Sequence, residues 1–425
     1  MDTSIDTQLV KDTIVVKTAE AVYLYAQATR RVAKVRNFNL DVQSELAGKG
    51  FFNSIPRSMR YRRPRKWMNL MLLMGRDCPL ACLYCYDSNS GCSNAMMTPE
   101  TADMAIAVYL AAKPRKPKVT FFAGGEPTLN VAAIKHVVMK YGDTVKWQLT
   151  TSGVLSLAWL RWLLDHRVGI TVSVDGPPHI QDILRPLRSG GKSSPIVERT
   201  IRELVTRGRA VGVRATITKE TLQELGDILN YFDSLEVDPI HLEGLYPLGR
   251  AMEEQRVILT PLTSDDQTKM LLTGLAWAQA NGRRLKMGSL SYLLRPKVAG
   301  YCGAMQMQTM VVNHLGQLTA CSEVVDDSAN EWSVFNVGHI DVDGKLRVVD
   351  EKLRVLQRRV VTNMPACRKC FAKYLCRGGC PHKALIATGS MYEQDVRHCE
   401  FMREIIPILI QRMVEPVDAI KDEEV

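Results

Sequence analysis

From residue 67 to about residue 247 the chain alternates between short apolar runs and longer segments whose apolar residues return every three or four positions. WMNLMLLMG, KVTFFAGG, VKWQLTTSG, GITVSVDG, AVGVRATIT and PIHLEGLYPL read as strands. They are mostly continuous apolar runs, as expected when both faces of a sheet are covered. Between them TPETADMAIAVYLAA, NVAAIKHVVMKYG, LSLAWLRWLLDHR, SPIVERTIRELVTRG and ETLQELGDILNYFDSL carry the helical period. The first of these helices opens on Thr98, with Pro99 just inside it. Strands and helices in this order predict an α/β fold, a partial parallel (β/α)6 barrel over residues 67–290.

The flanks differ. Residues 1–66 form an N-terminal segment in which TIVVKTAEAVYLYAQATRRVAKVR, 13–36, alternates like a small hairpin or sheet edge and leads into a short helical stretch. Residues 291–405 are loop-rich, with short strands such as QTMVVN, GQLTAC and NVGHI. A final helix is expected over roughly 392–413, and residues 406–425 hold its end and an acidic tail, KDEEV.

In parallel barrels chemistry collects at the C-terminal ends of the strands. RDCPLACLYCYD follows the first strand, GGEP the second, TTSG the third and SVDG the fourth, so four unusual stretches share one rim. The cysteines then change the picture. Of eleven, four lie in 78–92, none in 93–301 and seven in 302–399. Clustering of this kind in a chain without a signal-peptide pattern points to metal rather than disulfides. Three thiolates on a [4Fe–4S] cube leave one iron open to a ligand. A zinc site completed by Cys92 is the alternative for Cys78, Cys82 and Cys85 taken alone.

The loop, with Tyr84 before its last cysteine, resembles the C-x3-C-x-aromatic-C motif of the radical S-adenosylmethionine (SAM) superfamily. That resemblance implies that Cys78, Cys82 and Cys85 hold a [4Fe–4S] cluster whose open iron chelates SAM, which on reduction yields a 5′-deoxyadenosyl radical. GGEP (Gly124, Gly125, Glu126, Pro127) is similar to the family's site for the methionine amine. TTSG resembles its TTNG, with Ser152 in place of Asn. Ser173 and Arg214 are candidates for the SAM carboxylate or ribose, and Leu245 for the adenine. The C-terminal cysteines resemble the SPASM domain of two auxiliary clusters, making three [4Fe–4S] clusters in all. By that likeness Cys367, Cys370, Cys376 and Cys399 ligate one, and Cys302, Cys321 and Cys380 the other. The latter set again offers three ligands, with Pro296 near the place where relatives carry a further cysteine. Its iron is open, or is completed by Cys92 or another side chain. An iron-holding first loop needs no fourth thiolate, so Cys92 is expected not to ligate it.

Apolar residues make up 46% and charged residues 24%, and no apolar stretch is long enough to span a membrane, so a cytoplasmic enzyme is expected. The net charge of +10 and the run RSMRYRRPRK, 57–66, suggest an anionic partner. Thiolate-bound clusters each subtract about one or two charges, which argues against nucleic acid. Anaerobic sulfatase maturases usually carry Asp directly after the second SPASM cysteine, whereas here Ser322 is followed by Glu323, a candidate proton acceptor. The leading segment and SVDGPPHIQDILRPL look more like maturases of ribosomal peptides. The expected function is therefore oxidative cross-linking, thioether or carbon-centred, of a precursor peptide with a leader, fed electrons by flavodoxin or ferredoxin. His179, Asp182 and Arg185 are candidates for peptide contact or for stabilising their loop. The alternatives are a sulfatase maturase, a small-molecule SPASM dehydrogenase, and a non-enzymatic zinc-binding protein.

Overall fold

The computed structural model describes residues 6–55, 67–87, 93–122, 124–252, 259–287 and 300–414. Cys92, Pro296, the basic run 57–66 and the acidic tail lie outside the described residues.

The six expected strands are present in order: β5 (Asn69–Leu73), β6 (Lys118–Phe122), β7 (Lys146–Thr151), β8 (Gly169–Ser173), β9 (Gly212–Ile217) and β10 (Ile240–Gly244). The N-terminal segment supplies β1 (Asp6–Val10), β2 (Thr13–Lys17), β3 (Val22–Ala26) and β4 (Arg31–Val35) before them. Later come β11 (Leu285–Met287), β12 (Thr309–Val312), β13 (Gln317–Thr319), β14 (Asn336–Ile340) and β15 (Leu346–Val348). One open sheet runs β11-β10-β9-β8-β7-β6-β5-β12-β13-β14-β15. It is parallel from β11 to β12 and antiparallel beyond. Two three-residue or four-residue strands thus flank the expected six, and β12 seals the outer side of β5 with Met310 opposite Leu70 and Val312 opposite Leu72.

Alternate residues of the central strands are fully buried: Leu70 and Leu72, Val119 and Phe121, Val213 and Ala215, Ile240 and Leu242. Helices supply the opposing layer through Ile106, Ile134, Leu160, Ile201 and Ile228. Thr98 caps the helix Pro99–Ala111 by accepting from the Thr101 amide, as its position predicts.

The N-terminal element is larger than a hairpin. It is a four-stranded antiparallel meander, β1-β2-β3-β4, that begins at Asp6. Val15, Leu24 and Phe51 pack on one side of it, while Ile14, Tyr23 and Tyr25 join the main core. The last helix spans Val396–Val414, starting later than expected because residues 390–395 form a turn. No helix among the described residues is long and apolar enough to cross a membrane.

Candidate active site

A cavity of about 370 Å³ opens at the C-terminal ends of the parallel strands. Its wall carries Cys78, Cys82, Tyr84 and Cys85, then Gly124, Gly125 and Glu126, then Ser152, Ser173, Arg214 and Leu245. Ser322 and Glu323 reach it from the C-terminal region. Every residue expected at the rim is thus brought to one chamber.

The cysteine loop is pinned from several sides. Arg76 is buried and bridges Asp87 and Asp326 at 2.5 Å each, with Ser328 at 2.7 Å from the same guanidinium. This joins the loop to a segment 250 positions away. Ala81 and Leu83 donate backbone hydrogen bonds to Pro186 and Leu184. Gly249, at φ +52°, lies so close that a Cβ would sit 2.3 Å from the Tyr86 carbonyl, and only glycine fits there. Arg185 donates to Asp175 at 2.9 Å, lies 5.2 Å from the Tyr84 ring centroid and approaches the Cys82 sulfur at 4.0 Å. The Tyr84 hydroxyl donates to the same Asp175 carboxylate at 2.5 Å.

Glu126 is buried, and its carboxylate accepts from the Thr128 amide and hydroxyl, the Thr151 hydroxyl and the Ser152 amide. It therefore ties GGEP to TTSG. The two glycines serve packing: a Cβ on Gly124 would meet Asp87 Oδ2 at 2.3 Å, and one on Gly125 the Asp77 carbonyl at 2.1 Å. Opposite them, Glu243 faces His241 at 3.5 Å, Lys383 at 3.9 Å and Arg214 at 4.0 Å. Burial alone would raise its pKa, but the His241 contact and the two cations win and bring it to about 2. Lys383 also stands 4.5 Å over the Tyr246 ring.

Burial pushes the Cys78 thiol up to about 12, with the Glu126 charge and the neighbouring thiols adding to it. Burial likewise raises Cys82 to about 11. Three such thiols ionise together only around strongly cationic partners, the chemistry an iron–sulfur cluster supplies. Residues 72–232 match the Radical SAM superfamily. This stretch is a radical SAM domain. Its family uses an iron–sulfur cluster and S-adenosylmethionine, and the donor set fits both.

Other likenesses extend past that domain. The serine-type anaerobic sulfatase-maturating enzyme of Klebsiella aerogenes is 24% identical over 346 residues, covering 77% of this chain and 82% of the relative. Native anSMEcpe with bound AdoMet superposes with a TM-score of 0.66 at 21% identity, over 82% of this chain and 99% of that one. Streptococcus suis SuiB bound to the precursor peptide SuiA superposes with a TM-score of 0.58 at 12% identity, over 93% and 100%. These two superpositions establish a shared fold.

Outside the radical SAM domain, the seven C-terminal cysteines gather into the two expected groups. The Cys302, Cys321 and Cys380 thiols act on one another electrostatically, as do those of Cys367, Cys370, Cys376 and Cys399. Burial raises Cys376 and Cys380 to about 12 and Cys399 to about 11. Arg359, 0% exposed, reaches both groups. Its guanidinium donates to the Gly378, Gly379 and Met391 carbonyls, and the charges that favour it most strongly are the thiols of Cys380, Cys367, Cys376 and Cys302. A buried cation needs anionic company. Thiolate-bound clusters of net negative charge provide it, so these sets fit iron–sulfur clusters as well.

Two of the loop candidates make contacts within the fold. Asp182 accepts from the amide and hydroxyl of Ser194 at the start of the helix Ser194–Thr206, and His179 pairs with Glu224 at 2.7 Å near the surface. Arg185 contacts Asp175 and the cysteine loop. Glu323 pairs with His382 at 3.0 Å, and burial, which would raise its pKa, is outweighed by that contact and by Lys383. Sequence reasoning missed Arg76, Glu243, Arg359 and Lys383. Arg76 heads the cysteine loop itself and Lys383 closely follows Cys380, yet like Glu243 and Arg359 they are recognisable as site residues only once their partners are known.

Proposed function

We propose that this chain is a radical SAM enzyme that abstracts hydrogen from a ribosomally made precursor peptide and installs an oxidative cross-link, thioether or carbon-centred. The cluster ligands are Cys78, Cys82 and Cys85, with SAM between GGEP and the Ser173, Arg214 and Leu245 side of the cavity. Bound there, cluster and SAM together supply the hydrogen-abstracting radical. Cys302, Cys321 and Cys380, and separately Cys367, Cys370, Cys376 and Cys399, are the ligand sets of two auxiliary clusters. An electron donor such as flavodoxin or ferredoxin completes the system.

One observation carries this reading: a single chamber unites the three-cysteine loop, the glycine-rich turn and residues from the C-terminal region. A peptide substrate draws support from the N-terminal meander, where β1 and β4 are the end strands of their sheet. Such edges accept an extended peptide as a further strand. The likeness to peptide-bound SuiB covers 93% of the chain, against 82% for anSMEcpe. A second reading, sulfatase maturation, is favoured by the Klebsiella relative. Ser322 after Cys321 counts against it.

The test is anaerobic incubation with SAM, a reductant and short peptides encoded beside the gene. The expected result is 5′-deoxyadenosine together with a peptide lighter by two hydrogens. Conversion of a sulfatase-derived peptide to formylglycine, with precursor peptides unchanged, would replace the first reading by the second.

A further inference from the structure

The auxiliary set of Cys302, Cys321 and Cys380 is one ligand short of the usual four. All ten described cysteines are accounted for by the three sets, so no other described cysteine remains to complete it. Cys92 lies outside the described residues, so among those described the missing donor would be a side chain other than cysteine.

Among the described residues a candidate donor stands beside one of its thiols. The Cys321 sulfur, a Glu323 carboxylate oxygen and a His382 ring nitrogen lie within 4.8 Å of one another. Glu323 follows Cys321 by two positions in a tight turn, where the Val324 amide donates to the Cys321 carbonyl at 3.2 Å. His382 follows Cys380 by two positions, at the start of the helix Pro381–Thr388. Two ligands of the incomplete set therefore each deliver one member of the Glu323–His382 pair.

The pair is also oriented. His382 is buried and meets the Phe335 ring edge-on at 5.7 Å, which fixes its plane. Its Nδ1 engages Glu323 Oε2 at 3.0 Å. The other oxygen, Oε1, takes part in no hydrogen bond with a described residue. A histidine that grips one oxygen and leaves the second for a metal is the arrangement by which outer residues orient carboxylate ligands.

We propose that Glu323 is the fourth ligand of the cluster held by Cys302, Cys321 and Cys380, with His382 as its positioning residue. This rests on the assignment of those three cysteines to an auxiliary cluster. It makes Glu323 a cluster ligand in place of a free proton acceptor, and it closes the iron that the cysteine count leaves open.

The test uses the full chain, reconstituted with iron and sulfide, in a background where Cys78, Cys82 and Cys85 are alanine so that the SAM-binding cluster does not overlap. The electron paramagnetic resonance spectrum of the reduced protein is recorded with and without added 2-mercaptoethanol. With Glu323 present the auxiliary signal is expected to ignore the thiol. Glu323→Ala should change the signal and make it respond to the thiol. Glu323→Cys should keep the same iron content, lose the response and guard against a folding artefact of the alanine variant. His382→Ala should alter the line shape while retaining the iron. A thiol response before any change at Glu323, or identical spectra for Glu323→Ala and its parent, overturns the proposal. If Cys321→Ala leaves iron content and spectrum untouched, the underlying cluster assignment fails instead.

Discussion

Cys78, Cys82 and Cys85 share one loop on the wall of an open cavity, whereas Cys302, Cys321 and Cys380 come from separate segments and meet beside a buried arginine. Both sets have three thiols. The first gains its order from outside: Arg76, Gly249 and the 184–188 segment hold the loop while its sulfurs face space. The second gains its order from within, through Arg359 and the Glu323–His382 pair. A missing fourth cysteine therefore has two opposite meanings. On the proposed assignments, in the loop it leaves room for a ligand, and in the C-terminal set it is answered by Glu323.

The largest effect should come from removing the internal support. Arg359→Met leaves three buried carbonyls without a donor and strips the cation from between the thiols. A loss of about 3–5 kcal/mol is expected, by analogy with breaking a buried ion pair. Iron should be lost from the C-terminal sets while the radical SAM loop keeps its own. Arg359→Lys should rescue little, since an ammonium cannot span the same three acceptors. Wild-type melting temperature and iron content in Arg359→Met would erase the contrast between the two regions.

A smaller effect is expected from disturbing the external support. Gly125→Ala puts a methyl group against the Asp77 backbone, which cannot swing away as a side-chain tip would. The turn must move off the cysteine loop, so SAM affinity should fall at least about tenfold, roughly 1.4 kcal/mol. The melting temperature should change little. Equilibrium dialysis with SAM checks this, and unchanged affinity would show that the turn has slack. The smallest effect, none, is expected for Cys92→Ala, where SAM cleavage and the loop cluster should persist. Loss of that cluster on iron analysis would mean that the loop recruits a fourth thiolate after all.

The parts that could be read along the chain were those with local causes. Continuous apolar strands, the Thr98–Pro99 helix start and the cysteine spacings all act over a few residues. The meander was underestimated because DTQLV, the first strand, is mostly polar and half exposed. β11 and β15 have three residues each, too few for any period to show. Arg359 sits in LQRRVV, which looks like solvated surface charge until its carbonyl partners, up to 32 positions away, come into view. GGEP stands out by its likeness to a methionine-amine site, but that the fold needs its glycines for contact between two loops shows only in three dimensions.

The pairing of β5 with β12 bears on how the chain is made. The first strand of the barrel emerges early in synthesis, but its outer edge finds its partner only when residues 309–312 follow. Until then β5 offers an unpaired row of amides and carbonyls flanked by Leu70 and Leu72, the kind of edge that invites aggregation. A chain cut short before residue 309 would keep that hazard permanently. The cysteine-rich end is in this sense a built-in chaperone for the domain that precedes it, and the two would be expected to be inherited and expressed as one piece.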